Sequence, residues 1–179
     1  MWTPFGRRTA YALLFIHLES RRVFVSPGTF NPTDEWMQQQ ARNATLWAEE
    51  EGIELRFLLR DRDGKYTQGF DDHFRTAGAK IIRTPFKSPI ANCYAESWIG
   101  SLKRECLNAL RCFGLRYFDH VVQTYVRYYN TMRPHQSLGN VPLCRPGEPP
   151  CEQAAHKLGP VRREQLLGGL LNHYERKAA

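Results

Sequence analysis

The sequence predicts an α/β fold in which a mixed sheet is flanked by helices. Two observations lead to this expectation: strand-like apolar runs alternate with segments of helical periodicity, and the first two strand-like runs adjoin each other. Such an order is typical of α/β proteins, with the sheet antiparallel at its start and parallel afterwards. At 179 residues and 42% hydrophobic content, the chain is long enough to bury one substantial core.

The first elements are a hairpin and a helix. The runs TAYALLFIHL and RRVFVS, joined by Glu19 and Ser20, predict two antiparallel strands. The segment from Pro32 then opens a helix that Gly52 ends. Its predicted buried stripe consists of residues at steps of four, three and four: Met37, Ala41, Ala44 and Ala48.

A strand, a short helix and a second strand are expected next. LRFLL is a nearly continuous apolar run between a helix and a turn, which predicts a strand covered on both faces. FDDHFRTAG predicts a short helix closed by Gly78, and KIIRT predicts a further strand. Because a helix separates the two strands, we expect the sheet to be parallel here.

Two longer helices follow the predicted loop TPFKSPIAN. The first runs from about Asn92 to Leu110, with the stripe Ala95, Trp98, Ile99, Leu102, Cys106 and Leu110. The second runs from Phe118 to about Asn130, with the stripe Phe118, Val121, Val122, Tyr125 and Tyr129. Residues 1–146 are expected to form the core domain. Residues 147–179 are expected to form a basic tail that contains Pro and Gly and ends in the weakly helical VRREQLLGGLLNHYERKAA.

Charge, cysteine usage and apolar runs indicate where the protein works. A net charge of +7 attracts polyanions, nucleic acid first and an anionic membrane next, although a merely soluble basic protein is the alternative. The five cysteines show no C-x-x-C, so we interpret them as reduced apolar residues. The apolar run from Ala10 to Ile16 lacks a following cleavage site, and no run reaches the roughly 18 residues of a membrane span. We therefore expect a cytoplasmic protein that does not contact membranes.

The stretch ELRFLLRDRDGKYT places Asp61 directly after the predicted buried strand. A hairpin turn at Asp63 and Gly64 would need a partner strand, but YTQGFDDHF does not alternate. A calcium loop needs glycine at its sixth position, and here glycine is fourth. A solvated aspartate at a strand end remains an alternative. The functional interpretation is that Asp61 enters a site at the C-terminal end of the strand, where α/β proteins gather ligands.

Glu96, near the start of the next long helix, is the candidate partner of Asp61. It adjoins the apolar stripe, so we expect it to be partly buried. Its ordinary explanations, a helix ion pair or a capping box, lack their partners in the sequence. Asn92 and Lys103 fall within roughly 40° of Glu96 around the helix and predict a polar strip. Two carboxylates held together share a proton or bind cations, and Mg²⁺ prefers oxygen ligands.

Three segments together resemble a known family. DRDGKYT, TPFKSPIANCYAESWIGSLKRECL and YVRYYNTMRPHQSLG are similar to the catalytic core of insertion-sequence transposases and retroviral-type integrases, in the ribonuclease H-like superfamily. The resemblance implies that two Asp and one Glu bind two Mg²⁺ or Mn²⁺ ions; Asp61 matches the second Asp and Glu96 the Glu. The family's first Asp lies on a strand preceding TAYALLFIHL. The resemblance therefore implies an N-terminally truncated chain, from a truncated reading frame or a late start, in which that strand and one ligand are missing.

Residues near the expected site are candidates for DNA contact. The motif positions Asn92, Lys103, Arg133 and His135 match the family, and nearby basic residues suit phosphate contact. The complete candidate set is Lys65, Arg83, Lys87, Asn92, Lys103, Arg104, Arg133 and His135. For any one basic residue the alternative is ordinary solvated charge, and His135 could instead cap a turn. Trp98 and the nearby tyrosines are better explained by core packing than by base stacking.

The expected function is DNA integration or transposition, by a homo-oligomer that acts on element ends and target DNA. In the chemistry that the resemblance implies, a metal-activated water cleaves a phosphodiester, and the freed 3′-hydroxyl then attacks the target. A non-catalytic, DNA-binding remnant of a transposase is the first alternative, since one acidic ligand is expected to be missing. A general ribonuclease H-like nuclease is the second.

Overall fold

The computed structural model describes residues 2–3, 6–85, 92–146 and 159–176, which form a mixed α/β fold. The strands are β1 (Trp2–Thr3), β2 (Gly6–Arg7), β3 (Leu14–Ile16), β4 (Val23–Val25), β5 (Phe57–Arg60), β6 (Lys80–Arg83), β7 (Val161–Leu166) and β8 (Leu171–Arg176). The helices are α1 (Asp34–Glu50), α2 (Gln68–Thr76), α3 (Cys93–Leu102) and α4 (Gly114–Thr131), and a π-helical turn at Lys103–Leu107 continues α3.

The described strands form four two-stranded sheets. β3 pairs with β4 in antiparallel fashion and β5 pairs with β6 in parallel, as predicted. β1 pairs with β2, and β7 pairs with β8, both antiparallel. No strand pairing within the described residues joins the β3–β4 hairpin to the β5–β6 pair. The predicted mixed sheet is therefore present in two separate parts.

Helices cover the β3–β4 hairpin on both faces. On one face, Phe15 and Phe24 pack against a cluster from α1, α2 and the following turn: Met37, Ala41, Ala44, Phe70, Phe74 and Ala79. On the other, Leu14 and Val23 join a cluster that α3, α4 and β8 complete: Trp98, Leu102, Cys106, Val121, Val122, Tyr125 and Leu171. Alternate strand residues thus enter different clusters, as the pleat requires. The predicted stripes of α1 and α4 are largely confirmed.

The first two helices carry the expected signals at their ends. The Thr33 hydroxyl accepts a hydrogen bond from the Trp36 amide at 3.3 Å, and Thr67 caps α2 in the same way. Gly52 and Gly78 follow the two helices with φ of 68° and 93°, a region that favours glycine. The capping threonines and the following glycines therefore set the lengths of α1 and α2.

Helix α4 covers the outer edge of β4 with two side chains. The Asn130 amide accepts a hydrogen bond from the Val23 N–H at 3.0 Å and donates one to the Val23 carbonyl at 2.8 Å. Two turns earlier, Gln123 Nε2 donates to the Val25 carbonyl at 2.8 Å. These bonds replace those that a neighbouring strand would make, so the β3 edge is the open side of the hairpin.

Three sequence expectations are wrong. The LRFLL strand is not covered on both faces, because Phe57 and Leu59 are 62% and 40% exposed. The helix from Asn92 does not stay α-helical to Leu110; it changes to a π-helical turn after Leu102. The end of the chain forms the β7–β8 hairpin rather than a weak helix, because Gly168 and Gly169 adopt positive φ at its turn.

Candidate functional site

A cleft of about 580 Å³ separates the β3–β4 hairpin from the β5–β6 pair. Its long walls are residues 12–19, which include β3, and residues 53–61, which include β5. The beginning of α3 lines it as well. Asp61, Asn92 and Glu96 all line this cleft, so three of the predicted site residues share one cavity.

A buried ion pair fixes the end of β5, where Asp61 begins the loop. Arg60 donates two hydrogen bonds to Asp71, from Nε to Oδ1 at 2.8 Å and from Nη2 to Oδ2 at 2.7 Å. Burial alone would raise the pKa of Asp71, but hydrogen bonds and charge from Arg60, with help from Arg83, lower it overall. Arg60 Nη1 also donates to the Asp61 carbonyl at 2.8 Å, so the pair holds the backbone at the candidate site.

The loop after Asp61 is organised by its own acidic side chains. Asp61 Oδ1 accepts a hydrogen bond from the Asp63 amide at 3.0 Å, and Asp63 Oδ1 accepts one from the Lys65 amide at 2.9 Å. The same lysine lowers the pKa of Asp63 through backbone and side-chain hydrogen bonds. Burial, followed by the charges of Asp61 and Asp63, raises the pKa of Tyr66 to about 12. The Asp61 carboxylate is half-buried and lies beside this neutral phenol.

Glu96 lies in the first turn of α3, and its side chain is exposed. The expectation that it is partly buried is wrong, because the buried residues of α3 are Trp98 and Leu102, and the cleft beside Glu96 is open. Asn92 precedes the helix at the N-cap position without a side-chain capping bond. Both polar groups therefore face a space where a ligand could reach them.

Residues close in sequence to the two carboxylates contact opposite ends of the β3–β4 hairpin. Lys65, in the loop after Asp61, lies 5.5 Å from the ring of Tyr11, before β3. Tyr94, two residues before Glu96, packs under Arg21 at 3.7 Å, in the turn after β3. The loop that carries Asp61 and the helix turn that carries Glu96 are therefore anchored at different ends of the same hairpin.

Two of the predicted DNA-contacting residues, Lys65 and Arg83, form ion pairs within the chain. Lys65 Nζ lies 3.1 Å from Asp63 Oδ2, and Arg83 Nη2 lies 3.3 Å from Asp71 Oδ2. Neither lines the cleft. Lys65 and Asp63 are both partly exposed, and an exposed ion pair is weak enough to exchange for a phosphate contact. Arg83 is also partly exposed, but its partner Asp71 is buried.

Arg133 and His135 lie together, away from the cleft. Arg133 donates to both oxygens of Glu105, at 2.8 and 3.3 Å, and the Tyr125 hydroxyl also donates to Glu105, at 3.1 Å. The Glu105 hydrogen bond is the largest cause that raises the pKa of Arg133. His135 is 8% exposed, bonds to the Tyr129 carbonyl at 3.1 Å, and has a pKa lowered mainly by burial. Burial and the hydrogen bond to Tyr129 therefore give His135 a structural role in the fold.

The remaining predicted residues are surface groups. Lys103 and Arg104 are exposed in the π-helical turn, where Arg104 Nη2 donates to the Ser101 hydroxyl at 3.2 Å. Lys87 lies outside the described residues. No group of three His, Cys, Asp or Glu that could hold a metal ion occurs in the part of the chain that the structure describes. In the same part, no helix is long and apolar enough to cross a membrane.

Part of the chain is similar to a known protein family. Residues 77–142 match the family described as the Integrase core domain. The predicted resemblance to integrase cores is confirmed. A curated relative of the chain, the Insertion element IS476 uncharacterized 39.2 kDa protein of Xanthomonas euvesicatoria, is 38% identical over 55 residues, which are 31% of this chain and 16% of that protein.

The fold has a solved counterpart. A chain in the simian T-cell lymphotropic virus intasome in complex with the PP2A regulatory subunit B56 gamma superposes with a TM-score of 0.56 at 13% identity. The superposition covers 97% of this chain and 65% of that one, so the chain spans less than two thirds of either relative. Glu96, Asn92, Arg133 and His135 lie within the matched family segment, whereas Asp61 lies before it.

Sequence reasoning missed two features near the site. The first is the pairing of Arg60 with Asp71, two residues whose neighbours in sequence give no sign of a buried ion pair. The second is Arg21, which sits at a hairpin turn with a positive φ of 63° and stacks on Tyr94. Its arginine-rich turn, SRRV, was a sequence clue to a basic turn but not to its partner.

Proposed function

We propose that this chain is the integrase-core region of a transposase and that it cleaves and joins DNA phosphodiesters with divalent metal ions. The observation that carries the proposal is that Asp61 and Glu96, from segments distant in sequence, line one cleft of a chain whose later segment matches integrase cores. DNA is the proposed partner, and a homo-oligomer acting on element ends and target is the proposed assembly. The net charge of +7 suits a polyanionic substrate.

The donor set fits Mg²⁺ or Mn²⁺ in its chemistry. Asp61 and Glu96 provide carboxylate oxygens and Asn92 an amide oxygen, which are the ligands that such hard ions prefer. When bound, such ions supply charge stabilisation to the attacking and leaving oxygens of a phosphoryl transfer. Arg60 holds the Asp61 backbone, and the exposed Lys103 and Arg104 of the π-helical turn are the proposed contacts to a phosphate backbone.

We further propose that one more β-strand completes the sheet between β3 and β5. Because β3 bonds to β4 through its odd-numbered residues, the N–H and C=O groups of Leu14 and Ile16 point away from β4. In β5, Arg56 and Arg60 accept hydrogen bonds from the β6 side, so the groups of Phe57 and Leu59 point away from β6. Both sets have no hydrogen-bond partner among the described residues, and both strands line the cleft.

The apolar side chains at the cleft indicate the character of that strand. Phe57 and Leu59 are exposed although they are large, and apolar side chains of a strand laid between β3 and β5 would pack beside them on the same face. The resemblance implies that the segment carries an acidic residue, the family's first Asp. A third carboxylate supplied in this way would complete the donor set.

A strand peptide added in trans tests this completion. A soluble peptide with a central run of valine and isoleucine ending in aspartate is expected to raise the unfolding temperature of the chain and to protect the β3 and β5 amides from hydrogen exchange. The same peptide with proline in the run is the control, because proline cannot donate a ladder hydrogen bond. Equal effects from both peptides would contradict the proposal.

Nicking of a labelled DNA duplex tests the activity. We expect cleavage that depends on Mg²⁺ or Mn²⁺, that the strand peptide increases, and that Asp61→Asn or Glu96→Gln abolishes. Asp63→Asn is the matched control, since Asp63 lies in the same loop but pairs with Lys65. Cleavage that survives both single substitutions would rule out the proposed site.

The second candidate function is metal-independent DNA binding without cleavage. It is favoured by the absence of a three-acid group among the described residues. It predicts DNA binding that is unchanged by EDTA and no nicking with or without the peptide.

A further inference from the structure

A second cavity, of about 270 Å³, adjoins the cleft, since Tyr94 and Ile16 line both. We name it the Arg21 pocket after the arginine of the β3–β4 turn that lines it. The polar side chains that define it are Arg21, Tyr94, Trp98, Ser101, Arg133 and His135. Neither carboxylate of the candidate metal site lines it.

Two hydrogen-bond donors of this pocket have no partner. Arg21 Nη1 and Trp98 Nε1 are both buried, and neither atom has an acceptor among the described residues. Trp98 is 3% exposed, so solvent at the surface does not satisfy its N–H. A guanidinium and an indole can only donate, and a buried donor without an acceptor is rare in folded proteins. These two donors of the pocket therefore lack an acceptor.

Charge decides which acceptor suits the pocket. Arg21 makes no ion pair with a described carboxylate, and its guanidinium covers the ring of Tyr94 at 3.7 Å and donates from Nη2 to the Tyr94 hydroxyl at 3.0 Å. Arg133 is paired with Glu105, which does not line the pocket. No described lining residue is Asp or Glu. An anionic oxygen group fits a site with donors and uncompensated positive charge better than water does.

The backbone of Arg21 supports a role for this position. Its φ of 63° is uncommon for a residue other than glycine, and such conformations persist where the surrounding structure holds them. Here the stack on Tyr94 links the turn to the first turn of α3, which also carries Glu96. The pocket is thus tied to the cleft through one helix turn.

We propose that the Arg21 pocket binds a phosphate group of the DNA backbone next to the one in the cleft. Arg21 and Trp98 donate to its oxygens, and the Ser101 hydroxyl lies on the same wall. This assignment rests on the proposed function for the identity of the polymer, but the anion site itself does not depend on cleavage.

Titration with inorganic phosphate, followed by the tryptophan indole N–H resonances in ¹⁵N–¹H spectra, tests the anion site. We expect saturable movement of the Trp98 resonance, which Trp98→Phe identifies by its loss, while the other three of the four indole resonances stay in place. Arg21→Gln should abolish the movement, and Arg116→Gln, at an exposed arginine of α4 that lines neither cavity, should not. If the Trp98 resonance does not move when phosphate is added, the pocket holds water only. If it still moves in Arg21→Gln, the phosphate is an adventitious ion only. Either result overturns the proposal.

Binding of a labelled DNA duplex at several salt concentrations tests the source of the phosphate. Loss of one phosphate contact should lower the slope of log affinity against log salt by about one in Arg21→Gln. Arg116→Gln should leave the slope unchanged. A normal slope in Arg21→Gln overturns the DNA assignment while the proposed function stands. If DNA does not bind the chain at all, the proposed function fails, and the phosphate titration alone decides whether the pocket is an anion site.

Discussion

Arg60 and Asp71 form a two-bond ion pair that is almost completely buried, with 5% and 1% of the two side chains exposed. Arg60 lies directly before Asp61 and donates a hydrogen bond to its carbonyl group. The candidate site therefore depends on a charge pair that takes no part in the proposed chemistry.

Asp71→Asn should lower the free energy of unfolding by about 3–5 kcal/mol, because it leaves the Arg60 charge buried without its counter-charge. Urea denaturation followed by circular dichroism measures the change. Asp72→Asn is the matched control: Asp72 is next in sequence, exposed and paired only with Arg75, so a loss below about 1 kcal/mol is expected. Equal losses in both variants would mean that burial does not set the energy of the pair.

Acid should weaken the fold through the same carboxylate. Because the pKa of Asp71 is lower in the folded chain than in the unfolded one, its contribution is fully present above the unfolded pKa of about 3.9. It is lost as the pH falls through the folded pKa. Unfolding free energy measured from pH 6 to pH 2 should therefore fall less steeply below about pH 4 in Asp71→Asn than in the original chain. Parallel curves would contradict this assignment.

Asp61→Asn should weaken Mn²⁺ binding at least about tenfold, since loss of even an indirect partner of a metal ligand commonly has that effect. Titration followed by the electron paramagnetic resonance of free Mn²⁺ measures the affinity, with the strand peptide present. Asp63→Asn should bind Mn²⁺ as the original chain does. Glu96→Gln should weaken Mn²⁺ binding as much as Asp61→Asn does if both carboxylates bind the same ions. An unchanged Mn²⁺ affinity in Glu96→Gln would show that Asp61 and Glu96 do not share ions.

Phe57→Glu should reduce self-association while changing the free energy of unfolding by no more than about 0.5 kcal/mol, because Phe57 is 62% exposed on an open strand edge. Sedimentation velocity measures the association. Leu58→Glu is the matched contrast: Leu58 packs against the α1–α2 cluster, so this variant should be destabilised. A large loss of stability in Phe57→Glu would show that the edge is covered in solution.

Leu171→Ala should cost about 2–5 kcal/mol, the usual range for a buried leucine, because Leu171 is 4% exposed in the cluster with α3 and α4. Tyr174→Ala, in the same strand but 60% exposed, should cost much less. Thermal unfolding of both variants compares them. This result also tests the predicted boundary after residue 146, since a separate tail would unfold without disturbing the core.

The sequence was most informative where a local pattern decides the structure. The stripe of α1, the glycines after α1 and α2, and the parallel pairing of β5 with β6 follow from periodicity and turn chemistry, and each prediction is confirmed. The β7–β8 hairpin was missed because the two leucine pairs around its glycines have no clear period. Shared lining of the cleft by Asp61, Asn92 and Glu96 was predictable from the family resemblance, whereas the exposure of Glu96 depends on packing between distant segments.

The two α4 side chains that cover the outer edge of β4 have a consequence for polymerisation. A hairpin with two bare edges can accept neighbours on each side and extend into a filament. With Asn130 and Gln123 bonded to Val23 and Val25, this hairpin can accept a partner only beside β3. If two molecules paired through their β3 edges, each would use the free backbone N–H and C=O groups of the other's edge. The product at this edge would therefore be a closed dimer and not a fibre.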